Sequence, residues 1–393
     1  MVDLGNFLQN RLPPPFLLQD EDEANTVASK GISDEFVELP TEEEDTIFKA
    51  VRLNDVNKIS LMLRHGTDVN MVHTGEACMV KSPSLFRNIQ MKRYCLLHVA
   101  VLHSDMETIT ALCSHGADTN IKDGNNRTPI FLATAAARLD VVKFLIGKGV
   151  DLNSQTSSKR SALIEAVCLN RLNLVDALIG AGADLELEDI KGTTALGHAM
   201  MEPRVSVKIV NRLVEAGCNV NKKTQKGATP LMFAVSLKKL DKIKALIKAG
   251  ADVNAVDSAN NTAFHLATND GQSVNIAKFL LHNGAHPDLK DRFGRTPLEN
   301  AVIQGKLRVI QLLLLADCDR SYSLFSSDAV QVLCDRVPVF RDWLYKEMYS
   351  PKSLKRLCRG SLRHCLTLKG LTAINELQLP QSLKDFLLVR YYD

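Results

Sequence analysis

The chain has 393 residues, 45% of them hydrophobic and 24% charged, with a net charge of +3 at pH 7. That length suits a repeat array with an appendage better than one compact domain, and the near-neutral balance gives no general attraction to nucleic acid or anionic membrane. No apolar run is long enough to span a bilayer, the N-terminus lacks a signal peptide's basic and apolar regions, and 9 scattered cysteines without a CxxC predict free thiols in the cytoplasm or nucleus.

Residues 1–45 are interrupted by Pro and then acidic, with 11 carboxylates against one Lys between Asp20 and Asp45. Such a segment cannot bury enough apolar surface to fold and reads as a mostly disordered, solvated tail.

From 46 to 319 the sequence repeats itself. Thr or Ser opens successive units at Thr128, Ser161, Thr194, Thr229, Thr262 and Thr296, in steps of 33, 33, 35, 33 and 34. Turn glycines at Gly116, Gly149, Gly182, Gly217, Gly250 and Gly284 follow the same steps. Each unit reads as a helix pair: Thr caps the first helix, Pro tolerates its first turn, Leu and Ala face the neighbouring unit, and Gly ends the second helix. Thr-Pro-Leu openings and Gly-Ala-Asp-x-Asn endings at this period resemble the ankyrin repeat. About eight units fit, the first degenerate around Ile47 to Asn70 and the last with Ala316 in place of the turn Gly. His stands at its usual place after the opening only at His98 and His265, so uneven repeat stability is expected.

One interval breaks the period, because Gly66 to Gly116 is 50 residues. The surplus lies at about 71–93 and reads as an enlarged loop. It carries Lys81, Arg87, Lys92 and Arg93 against Glu76 alone, with Phe86, Ile89 and Tyr94 interspersed. Basic residues mixed with exposed apolar anchors suit protein binding, so Lys81, Phe86, Arg87, Lys92 and Arg93 are the candidate target contacts. The bland alternative is that the apolar members tuck the loop onto its own repeat.

Residues 320–349 form a helical connector containing the sole Trp, Trp343. In 350–393, Ser350-Pro351 opens a helix whose Leu354, Leu357, Cys358, Ser361, Leu362 and Cys365 share a stripe opposite Lys355, Arg356, Arg359 and Arg363. Periodicity alone would make this stripe ordinary core. The run Ser353-Leu354-x-x-x-Cys358-x-x-x-Leu362, followed by Ile374-x-x-Leu377-Gln378-Leu379-Pro380-x-x-Leu383-x-x-Phe386-Leu387, resembles the two halves of a SOCS box. The resemblance implies that Ser353, Leu354, Leu357, Cys358 and Leu362 bind elongin. It likewise assigns Ile374, Leu377, Leu379, Pro380, Leu383, Phe386 and Leu387 to a cullin. Cullin-five is the implied partner, although Gln378, where the family has the first Pro of Leu-Pro-x-Pro, also fits the looser cullin-two pattern.

No P-loop, GxSxG, HExxH or zinc-type Cys/His spacing is present, so no enzyme, metal or cofactor is expected. His364-Cys365 is adjacent in sequence, which makes the side chains diverge on a helix. Asp68, Asp118, Asp151, Asp184 and Asp252 recur with the period and read as structural loop residues.

Array and box together are similar to the ankyrin repeat and SOCS box family. That implies an all-α fold, an ankyrin solenoid with a helical C-terminal box. It also implies a non-catalytic substrate receptor working with elongins B and C, a cullin, a RING protein and an unknown target. The alternative is an ankyrin scaffold whose C-terminal helices only cap the array. Asn254, in a hairpin, further resembles the sites of an oxygen-dependent asparaginyl hydroxylase, against the simpler reading that Asn suits the turn.

Overall fold

The computed structural model describes residues 42–73, 78–81, 88–91, 93–269 and 273–315, with single positions at 335, 338, 341 and 342. The chain divides into two units between Asn219 and Val220. In the first, five helix pairs follow one another: α1 (Glu42–Arg52) and α2 (Val56–Arg64), α3 (Leu96–His103) and α4 (Met106–Ser114), α5 (Pro129–Ala135) and α6 (Leu139–Gly147), α7 (Ala162–Cys168) and α8 (Leu172–Gly180), α9 (Ala195–Met201) and α10 (Val207–Glu215). The second holds three: α11 (Pro230–Ser236) and α12 (Leu240–Lys248), α13 (Ala263–Asn269) and α14 (Val274–His282), α15 (Pro297–Ile303) and α16 (Leu307–Leu315). Eight pairs match the eight units read from the period.

The two helices of a pair are built differently because they are buried differently. Every residue of α5 is buried, since it packs on α6 and lies between α3 and α7. A helix enclosed on all sides is apolar all round. Its partner α6 buries only the stripe Val141, Val142 and Leu145 and turns its other residues outward. Each such Leu or Val contributes about 1.5–3 kcal/mol when fully buried, so both helices of a pair add to the cohesion of the stack.

The opening hydroxyls act as expected at most repeats. Ser161 accepts from the Ile164 amide at 3.3 Å and Thr296 from Glu299 at 3.3 Å, with Glu299 returning the bond to complete a capping box. Thr128 makes no such bond, and Pro129 at the first helical position serves there without it. The full Thr–His pairing occurs at Thr262 and His265, whose hydroxyl and Nδ1 lie 2.9 Å apart. At His98 the partner is the Cys95 sulfur at 3.1 Å.

Between repeats run short hairpins. At their tips Gly227 and Gly294 share φ near 74° and 73°, a left-handed geometry that glycine adopts at least cost. Their surroundings differ. A Cβ on Gly227 would lie 2.9 Å from the Ser258 amide nitrogen, whereas one on Gly294 would meet nothing.

The inserted segment is not an open loop. β1 (Val72–His73) pairs antiparallel with β4 (Tyr94–Cys95), and β2 (Cys78–Lys81) with β3 (Asn88–Met91), in the register Cys78↔Met91 to Lys81↔Asn88. A long excursion must satisfy its own backbone amides, and strand pairing does so locally. This small β element is set within an otherwise helical array.

Candidate functional site

The inserted hairpin is anchored at its base by aromatic packing. His73 stacks on Tyr94 with ring centres 5.0 Å apart, and Phe48 of α1 meets both rings edge-on at 5.1 and 5.6 Å. Tyr94 is only 2% exposed, which corrects its reading as an exposed anchor of the loop. Burying an aromatic surface against Phe48 outweighs displaying it. Of the candidate target contacts, Lys81 closes β2, and Arg93 is exposed with φ 50°, next to the buried Tyr94. Phe86, Arg87 and Lys92 lie outside the described residues.

The second feature is a ladder of asparagines that ties each hairpin to the next. Asn70 Oδ1 accepts from the Asp118 amide at 2.7 Å, Asn120 from Asp151 at 2.8 Å and Asn153 from Asp184 at 2.9 Å. Glu186 takes the next rung, accepting from Asn219 at 2.7 Å. Beyond Val220, Asn221 accepts from Asp252 at 2.7 Å and Asn254 from His286 at 2.8 Å. Asn254 Nδ2 also donates to the Gly284 carbonyl at 2.9 Å. Its side chain therefore links two repeats. The recurring aspartates are the complement: Asp68, Asp118, Asp151, Asp184 and Asp252 each accept from the amide two residues on, at 2.8–2.9 Å. They are structural turn residues.

A third feature escaped the sequence reading. At the junction of the fourth and fifth repeats, His198 Nε2 donates to Asp189 Oδ2 at 3.0 Å. Asp189 Oδ1 meanwhile accepts the Lys191 and Thr193 amides, each at 2.9 Å. The Cys168 sulfur, at the end of α7, lies within hydrogen-bonding reach of both His198 and the Arg160 guanidinium. Arg160 also pairs with Glu165 Oε2 at 3.1 Å, while its buried Nε has no partner. Burial works against the charge on His198, but the Asp189 bond and the Cys168 sulfur outweigh it and lift the imidazole from 6.5 to about 9. Burial likewise opposes ionisation of Asp189, yet the His198 bond and the loop amides bring its carboxyl down to about 2.

The signal for this cluster was the period itself. His198 stands 33 residues after Glu165, so the two occupy the same place in adjacent repeats. Residues about one period apart stack as neighbours, whereas a search for Cys and His directly adjacent in sequence finds only His364-Cys365. That pair, with Ser353, Leu354, Leu357, Cys358, Leu362 and the cullin-facing positions from Ile374 to Leu387, lies outside the described residues. Among the described residues no three His, Cys, Asp or Glu converge as a metal site, and no helix is long and apolar enough to cross a membrane.

Comparison with known proteins agrees with this architecture. The ankyrin repeat model matches four overlapping stretches, 47–156, 97–189, 163–257 and 254–322, and the SOCS box model matches 350–388. The chain is an ankyrin-repeat protein with a C-terminal SOCS box. It belongs to the ankyrin repeat and SOCS box family. Among similar curated proteins, Inversin of Canis lupus familiaris is 42% identical over 94 residues, 24% of this chain and 9% of its own length. Inversin of Gallus gallus is 39% identical over 94 residues, covering 24% of this chain and 8% of its own. Ankyrin repeat and KH domain-containing protein 1 of Homo sapiens is 37% identical over 106 residues, covering 26% of this chain and 4% of its own. The chain thus spans less than a tenth of these relatives' length, and the likeness reaches only a quarter of its own.

Proposed function

We propose that this chain is the substrate-recognition subunit of an elongin–cullin–SOCS box ubiquitin ligase. The observation that carries the reading is the coexistence in one chain of ankyrin repeats over 47–322 and a SOCS box at 350–388. In this reading the repeats hold a target protein, and the box recruits elongins B and C with a cullin, cullin-five before cullin-two, and its RING protein. The chain contributes proximity: it raises the effective concentration of a target lysine at a conjugating enzyme bound elsewhere. Ser353, Leu354, Leu357, Cys358 and Leu362 form the elongin contact. Ile374, Leu377, Leu379, Pro380, Leu383, Phe386 and Leu387 form the cullin contact. The hairpin bearing Lys81, Phe86, Arg87, Lys92 and Arg93 grips an acidic or amphipathic segment of the target, in the cytoplasm or nucleus.

Elongin co-purification tests the core of this reading. Leu354→Pro with Cys358→Phe should abolish it, by breaking the helix and overfilling the contact. Recovery of elongin equal to that of the unaltered chain would instead favour a scaffold whose C-terminal helices merely cap the array. Loss of cullin-five with Leu379→Ala and Pro380→Ala tests the cullin assignment, and selective recovery of cullin-two overturns it. Replacing 81–93 by a Gly/Ser linker should keep elongin and lose most target proteins. An unchanged set of target proteins would place recognition elsewhere.

A further inference from the structure

We propose that the hairpin tips 224–228, 257–261 and 291–295, which precede α11, α13 and α15, form a docking surface for an extended acidic segment of another protein, with apolar residues among its carboxylates. All three tips belong to the second unit of the chain, and the surface needs neither the SOCS box nor the inserted hairpin. Backbone bonds join them into one row: the Ser258 amide donates to the Lys226 carbonyl at 3.0 Å, and the Arg292 amide to the Ala259 carbonyl at 2.9 Å.

Charge along this row is one-sided because its carboxylates are committed inward. Asp257 and Asp291 are 5% and 6% exposed, and Oδ1 of each accepts the amides two and four residues on, at 2.8–3.0 Å. In the first tip Thr224 takes the aspartate's place, its hydroxyl accepting from the Ala228 amide at 3.2 Å. Lys226 and Arg292 are left as the exposed charges of the row.

Beside them stands Phe293, 55% exposed and the aromatic one among the large apolar side chains exposed in the described residues. A single exposed apolar residue is ordinary. What sets this one apart is its cations: the guanidinium carbons of Arg292 and Arg295 lie 4.6 and 4.5 Å from the ring centre. The two arginines are committed differently. Arg295 pairs with Asp291 at 3.3 Å, whereas among the described residues no carboxylate pairs with Arg292. The ring holds the Arg292 guanidinium in place, which reduces the side-chain freedom lost when an incoming carboxylate pairs with it. Aromatic and arginine side chains together are the composition of binding hot spots, and the exposed part of the ring can take an apolar side chain. An acidic segment matches the row in charge, with carboxylates on Arg292 and Lys226 and an apolar residue on Phe293.

The test uses the full chain and a fluorescein-labelled peptide of Glu-Glu-Leu repeated four times, with binding followed by fluorescence anisotropy at low salt. Phe293→Ser and Arg292→Ser should each weaken binding about tenfold. Peptides with Gln for Glu, or Ser for Leu, should bind the unaltered chain about tenfold more weakly, since each removes one half of the match. These two control peptides keep the test valid even if a tip variant loosens the fold. Lys81→Ser with Arg93→Ser, in the inserted hairpin, should leave the affinity unchanged, so failure of this row and failure of the target reading above are distinguishable. Absence of binding, equal binding of the three peptides, or binding that survives both tip variants overturns the proposal, as does a loss caused by the Lys81 and Arg93 changes instead.

Discussion

The loops Asp189 to His198 and Asp291 to Asn300 are built on one plan with different chemistry. In each, the aspartate Oδ1 accepts the amides two and four residues on, and Oδ2 accepts from a side chain nine residues on, in the following helix. The donor is an imidazole at 3.0 Å in the first and a carboxamide at 3.1 Å in the second. Geometry is therefore set by the repeat, while charge is set by the single residue that fills the donor position. In the first loop a charge pair is held at low exposure, 15% for His198 and 9% for Asp189. In the second, Asn300 brings no charge, and Arg295 adds an ion pair to Asp291 at 3.3 Å. One backbone solution thus presents a titrating imidazole to the buried carboxylate in one repeat and an uncharged carboxamide in another.

The largest effect should come from Asp189→Ala. It strands a buried imidazolium and two loop amides, and breaking such a pair costs about 3–5 kcal/mol. Asp291→Ala strands two loop amides as well, but the side chains it leaves are an uncharged carboxamide and a partly exposed Arg, so about 1–3 kcal/mol is expected. Urea unfolding at pH 7 measures both, and an equal or reversed order breaks the comparison.

His198→Asn converts the first loop into the second. Because the folded imidazole is raised from 6.5 to about 9, its contribution is fully present below pH 6.5 and disappears as pH rises through 9. Asp189, lowered from 3.8 to about 2, contributes above pH 3.8 and loses that contribution as pH falls through 2. The groups facing His198 are Asp189 and Cys168, with Arg160 beyond the sulfur. The unaltered protein should exceed the variant by about 1.5–3 kcal/mol near pH 6, the value of a hydrogen bond to a charged group, with the gap closing towards pH 10. Unfolding curves at pH 6, 8 and 10 check this, and a gap independent of pH would show that the pair is not charged.

The smallest effects concern the hairpin tips. Gly294→Ala meets open space and should cost about 1 kcal/mol for its left-handed φ alone. Gly227→Ala adds the 2.9 Å approach to the Ser258 amide, and should cost roughly 1–3 kcal/mol more by overpacking. Equal thermal shifts for the two would mean that the backbone yields at Gly227.

For modification of Asn254, peptide mass analysis after exposure to an asparaginyl hydroxylase should show a gain of about 16 daltons on the peptide bearing this ladder residue. A spectrum without it ends that proposal.

The sequence by itself determined the repeat. Thr and Gly at fixed steps name the start and end of each helix pair because capping and left-handed φ are local demands, readable within a few residues. The aspartates of the turns were legible for the same reason, since each bonds an amide two positions away. The box motifs were legible as patterns, with Leu354, Cys358, Leu379 and Pro380 at their spacings. What only the tertiary structure decided are contacts made across the stacking direction. Tyr94 could be loop or core until Phe48 and His73 closed on it, and the insertion could be coil until its strands paired. Cys168 and His198 are 30 residues apart and carry no local signature; stacking of one repeat on the next brings them together. Side-chain charge there follows from burial and neighbours, which exist only once the repeats are packed.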